Sequence, residues 1–107
     1  MNHFHYWQDH AGSRPEKFYK TTIWQGEHLM VGLNCLEPGQ TQAVHGHEGA
    51  DKFYLVLAGR GKFTVAGEER DVETGGLVVA PAGVPHGVTN NERDRLSLLV
   101  TIGPPFK

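Results

Sequence analysis

Glycine and proline interrupt this chain so often that long helices have no room: fourteen glycines and six prolines fall within 107 residues. The segments between them are rich in valine, threonine, leucine and aromatic side chains, which suit the pleated, half-buried surface of a strand. Residues 18–24, 28–36, 52–58, 62–66, 77–80, 87–89 and 96–102 read as strands. The breaks between them are Gln25-Gly26-Glu27, Pro38-Gly39, Gly59-Arg60-Gly61, Gly67-Glu68 and the stiff run Pro81-Ala82-Gly83-Val84-Pro85. About seven to nine short strands with almost no helix predict an all-β barrel or sandwich. Closing such a sheet removes its edges and turns one set of alternating side chains into a lumen, where a small ligand can sit.

The length suits one domain. Residues 1–16, which carry His3, Phe4, His5, Tyr6 and Trp7 without a sustained period, read as an N-terminal arm, and residues 17–107 as the barrel. Ten basic and twelve acidic residues are spread along the chain for a net charge of -2. That distribution offers no basic stripe for a phosphate backbone, so nucleic acid is not an expected partner. No stretch reaches the ~18 apolar residues of a membrane span, and the N-terminus does not read as a signal peptide. Cys35 is the sole cysteine, which leaves no internal disulfide and favours a reducing, cytoplasmic setting. Segments 53–57 and 96–100 are apolar on both faces, and a homodimer would cover the surface this leaves outside the barrel.

The chemistry centres on histidine. His45 and His47 stand two apart, so on extended backbone their rings project from one face, roughly 6 to 7 Å apart at Cα, and can reach one cation. Neutral imidazole offers a lone pair near pH 7, and a cation offsets the desolvation of the site. Alone, this spacing is better explained by two solvated loop residues, but the surroundings are patterned. Gly39 precedes His45-Gly46-His47, an acidic loop Glu48-Gly49-Ala50-Asp51 follows, and a strand runs to Gly59; later come Gly75, Pro81, Gly83, His86 and Asn90.

These positions resemble the two signature motifs of the cupin superfamily, over about residues 37–90, and the second motif fits at every expected position. The resemblance implies a double-stranded β-helix, or jelly-roll, barrel, and a divalent metal ion (Fe, Mn, Ni or Zn) held by His45, His47 and His86. One position departs from the pattern. Seven residues before Gly59, where the family often carries a glutamate ligand, this chain has Lys52.

Lys52, Tyr54 and Val56 share one strand face. If that face lines the lumen, the Lys52 amine lies near the cation, and desolvation together with like charge would lower its pKa. It could then ligate the metal, accept a proton or bind an anionic substrate; turned outward, it would pair with Glu48 or Asp51 instead. Asp51 is a further candidate for the fourth metal ligand if the preceding loop bulges. Tyr54 is the aromatic residue that parity places beside Lys52, and Lys52 and Tyr54 are the candidate catalytic residues. A metal-free site in which the three histidines and Lys52 grip a carboxylate or phosphate is the remaining alternative.

Three neutral ligands leave the full charge on the metal and open positions for anionic oxygen ligands. The expected activity is that of a metal-dependent oxygenase (a dioxygenase-like enzyme), isomerase or decarboxylase acting on a small anionic substrate. The alternative is a non-catalytic module that binds a sugar or carboxylate, since fold does not dictate chemistry.

Overall fold

A computed structural model describes residues 2–105. The strands are β1 Tyr19–Gln25, β2 Met30–Leu36, β3 Thr41–His45, β4 Asp51–Ala58 and β5 Arg60–Val65, followed by β6 Glu68–Glu73, β7 Leu77–Ala80, β8 His86–Thr89 and β9 Leu96–Gly103. They form two antiparallel sheets, one in the order β1-β2-β9-β4-β7 and the other β3-β8-β5-β6. This is the all-β architecture expected from the punctuation of the sequence, in the double-stranded β-helix form that the family resemblance implies. Apart from the strands, Trp7–His10 forms one turn of 3₁₀ helix.

The core lies between the two sheets, and strict alternation builds it. In β4, Lys52, Tyr54 and Val56 are buried while Phe53, Leu55 and Leu57 are only partly covered. Each inward residue of β4 faces an inward residue of β9: Lys52 pairs with Ile102, Tyr54 with Val100 and Val56 with Leu98. Phe63 and Val88 close the core from the other sheet, and the Tyr54 and Phe63 rings meet at 5.5 Å between centroids. Burial of these side chains contributes about 1.5–3 kcal/mol each before chain entropy is set against it.

The outer face of the five-stranded sheet is apolar in part. The N-terminal arm lies against it, with His3, His5 and Trp7 beside Ile23, Trp24 and Val31. The Tyr19 hydroxyl donates to the His10 carbonyl at 2.9 Å, and Gln40 Nε2 donates to the Arg14 carbonyl at 2.6 Å. Leu77 and Val79, on the edge strand β7, remain more than half exposed. Cys35 is fully buried.

Two strands differ from the sequence expectation. β6, Glu-Glu-Arg-Asp-Val-Glu, carries almost no apolar signal because it is an edge strand paired only with β5 and exposed along most of its length. Its charges pair locally, Arg70 with Glu68 at 2.7 Å and Asp71 with Arg60 at 3.4 Å. The expected turn at 59–61 shrinks to Gly59 alone, since β5 already begins at Arg60.

The second difference positions the site. β3 pairs with β8 as Thr41–Thr89, Gln42–Val88 and then His45–His86, so β3 spends three residues where β8 spends two. This is a β-bulge, and it reverses the inside-outside phase of the strand. Gln42 and His45, which simple alternation would send to opposite faces, are both partly buried, while Ala43 and Val44 between them are exposed. Opposite the bulge stands Gly87, where a Cβ would lie 2.9 Å from the Gln42 carbonyl oxygen and 3.0 Å from the Val44 nitrogen. Only glycine admits that approach. Replacing Gly87 with alanine is expected to cost about 1–3 kcal/mol of stability, the usual range for forced overpacking. Urea denaturation checks this, and an unchanged midpoint would mean that the strand pair has slack which the register denies.

Candidate metal centre

The bulge places His45 directly across from His86, the first residue of β8. His47 lies beyond the end of β3, so the expectation that both motif-one histidines share an extended strand holds only for His45. A backbone hydrogen bond nevertheless ties His47 to the opposite turn, with Gly83 N–H donating to the His47 carbonyl at 2.8 Å. The ligand atoms of the three histidines all fall within 4.8 Å of one another. Ring centroids are 4.6 Å apart for His45 and His47, 4.5 Å for His45 and His86, and 5.8 Å for His47 and His86.

Two of these rings are oriented by the backbone two residues upstream. His45 Nδ1 lies 2.8 Å from the Ala43 carbonyl oxygen, and His86 Nδ1 lies 2.9 Å from that of Val84. A carbonyl oxygen only accepts, so each Nδ1 carries the hydrogen and in the neutral ring Nε2 keeps its lone pair. His86 Nε2 is the one fully buried side-chain polar atom with no hydrogen-bond partner among the described residues. A buried acceptor without a partner costs about 1–3 kcal/mol, and a cation shared with the neighbouring imidazoles removes that cost. The donor set, three imidazoles and no thiolate, suits a divalent transition metal.

The electrostatics agree with neutral rings. Burial first, then the charges of His45 and Lys52, hold His47 below the ordinary imidazole value. Burial also lowers His86, against a smaller opposing effect of its hydrogen bond to Val84.

Lys52 is 5 % exposed and turned inward, with Nζ 4.7 Å from the centre of the Tyr54 ring. No ion pair to Lys52 occurs among the described residues, so the outward alternative, pairing with Glu48 or Asp51, does not hold. Desolvation, with a smaller contribution from Lys20, lowers its pKa to about 8. Tyr54 is fully buried, and burial pushes its hydroxyl upward from the ordinary phenol value. That hydroxyl donates to Gln42 Oε1 at 2.5 Å. Tyr54 therefore supports Lys52 and Gln42 from beneath. A cavity of about 520 Å³ opens above, lined by Lys20, Gln42, His45, His47 and Lys52 with apolar Val100 and Ile102.

Asp51 stands apart from the histidine group. It is exposed, and its Oδ1 accepts the Ala82 N–H at 2.8 Å, which pins the Pro81–Pro85 turn to the start of β4. The loop bulge that would have brought Asp51 to the metal is absent, because Asp51 already belongs to β4 and alternation turns it outward. Gln42 is the residue that the sequence reading missed. Its signal was hidden by the bulge, since a period-two count from His45 assigns Gln42 to the outer face.

A cupin-domain family matches residues 32–102. A solved Thermus thermophilus protein superposes with a TM-score of 0.91 at 40% identity, covering 94% of this chain and 96% of that one. An uncharacterised Streptomyces coelicolor protein is 38% identical over 77 residues, 72% of this chain and 71% of its own length. A Thermotoga maritima protein named as oxalate-binding is 30% identical over 67 residues, 63% of this chain and 55% of its own.

Because His86 and His47 titrate below 6.5 in the fold, the unfolded chain takes up their protons first as pH falls. Stability of chelator-treated protein is therefore expected to be steady in the neutral range and to decline as pH falls through about 6.5 and below. Urea midpoints across that range measure it, and His86→Gln should flatten part of the slope. A midpoint that rises on acidification would contradict the direction of both shifts.

Proposed function

The chain belongs to the cupin family, and from that premise we propose that it holds a divalent metal ion through His45, His47 and His86 and presents it to a small anionic ligand. The observation that carries this reading is the buried, unpartnered Nε2 of His86, in a group of three histidines whose ligand atoms lie within 4.8 Å of one another. Fe, Mn, Ni or Zn all suit three imidazoles, since geometry and availability decide among them. When bound, such an ion acts as a Lewis acid that polarises a carboxylate or enolate oxygen.

The residues of the chain have separate tasks around it. Ala43 and Val84 hold the His45 and His86 rings in the tautomer that exposes Nε2, as outer-shell partners do in metal sites. Lys52 and Lys20 make the cavity attractive to anions. Val100 and Ile102 form an apolar wall that limits water. Such a site supports oxygenation, isomerisation or decarboxylation of a small carboxylate. Lys52 is the group placed to hold or transfer a proton, being a buried amine with its pKa at about 8.

A second reading, a non-catalytic carboxylate-binding module, is favoured by one feature: no carboxylate lines the cavity among the described residues, so no acidic side chain is present there to shuttle protons. The related Thermotoga maritima protein, by its name a binder of oxalate, supports the ligand class common to both readings.

Protein purified without chelator is expected to carry close to one divalent ion per chain by elemental analysis. Removing an outer-shell partner of a metal ligand typically costs 10–100-fold in affinity, so His86→Ala and His45→Ala should each weaken binding by more than about 100-fold. Equal, negligible metal in wild type and both variants would sink the metal assignment. Turnover of a bound carboxylate, against its unchanged recovery, separates the enzyme from the binder.

A further inference from the structure

The cavity is lined by a second group of donors besides the histidines. Lys52 is nine-tenths buried and without an ion-pair partner among the described residues, yet its charge is felt at both His47 and His86. It shares the cavity wall with Lys20 and Gln42. Because Gln42 Oε1 already accepts from Tyr54, the amide of Gln42 has its N–H groups left to offer. The Tyr54 ring carries the Lys52 ammonium against its face, a favourable cation–π placement that orders the amine. Lys52, Lys20 and Gln42 thus add a set of donors to the cavity lining beside the histidines, and one tyrosine contacts two of the three.

We propose that Lys52, Lys20 and Gln42 form a second anion subsite, and that the ligand is a small molecule with two acidic groups, one directed to the histidine pole and the other to this wall. The inference rests on the metal reading for the first pole only. A buried ammonium that finds no counter-ion in the protein favours a ligand that brings one. Hydrogen bonds to charged groups distinguish ligands strongly, and a monocarboxylate leaves Lys52 as unsatisfied as before. Tyr54 is a positioning residue here: its hydroxyl sets the Gln42 amide and its ring sets Lys52.

Calorimetric binding of acetate, malonate and succinate to metal-loaded protein tests this. Wild type is expected to prefer a dicarboxylate over acetate by about ten- to a hundredfold, and Lys52→Gln to lose that preference while keeping its metal content. Lys52→Arg should retain the preference. Tyr54→Phe, which keeps the ring but frees Gln42, should weaken dicarboxylate binding several-fold and leave acetate binding unchanged. If Lys52→Gln does not fold, Lys20→Gln at the exposed rim carries the same expectation in smaller degree.

Metal-loaded wild type that binds acetate and dicarboxylates alike, or a Lys52→Gln protein that keeps the preference, overturns the second subsite and leaves the metal reading intact. Wild type that takes up no metal but shows a Lys52-dependent dicarboxylate preference overturns the metal reading and supports the subsite.

Discussion

One close approach of backbone to backbone decides where the chemistry of this protein lies. β3 gains a residue against β8, and the extra residue fits because Gly87 presents no side chain to the Gln42 carbonyl and the Val44 amide. Without the bulge, the strand would keep a period of two, and Gln42 and His45 could not share the interior. With it, His45 meets His86 across the sheet and Gln42 reaches under the cavity to Tyr54. The placement of His45 against His86 and the inward turn of Gln42 therefore depend on the same backbone irregularity.

The second motif is held to the first by contacts that involve no metal ligand side chain. Gly83 N–H donates to the His47 carbonyl, and Ala82 N–H to the Asp51 carboxylate. These two bonds draw the proline-rich turn against the histidine loop and the start of β4, so the direction in which β8 leaves the turn is set before His86 is reached. Asp51 thus contributes to the site through geometry. Asn90 closes the other end of β8 in the same manner, fully buried, with its side chain donating to the carbonyls of Leu36 and Asp94. A short strand of four residues is fastened at both ends, which is what a preorganised ligand set requires.

Much of this was legible in the sequence, for physical reasons. The turns were marked because backbone at Gly39 and Gly83 takes φ of 87° and 78°, where side chains are strained. Strands β2, β4 and β9 were marked because they pack between covered faces and so carry apolar residues in runs. Parity alone placed Lys52, Tyr54 and Val56 on one face, and that face proved to be the interior. β6 was silent because this mostly exposed edge strand turns only Val72 to the core, and its charges satisfy one another locally. The bulge was silent because its signal is divided between two distant segments: the extra residue is in β3, and the glycine that permits it is in β8.

The departure at position 52 changes the charge balance of the lumen as a whole. A carboxylate in that slot would oppose the charge of a bound cation and complete its shell from the protein. Lys52 adds charge of the same sign, and among the described residues no acidic side chain lines the cavity to offset it. The Tyr54 ring face lowers the cost of holding the ammonium there but supplies no net negative charge. In the proposed reading, compensation comes from an anion that enters the cavity. Burial reinforces the selection, since the low local polarity that disfavours the bare ammonium also strengthens its attraction to a ligand carboxylate.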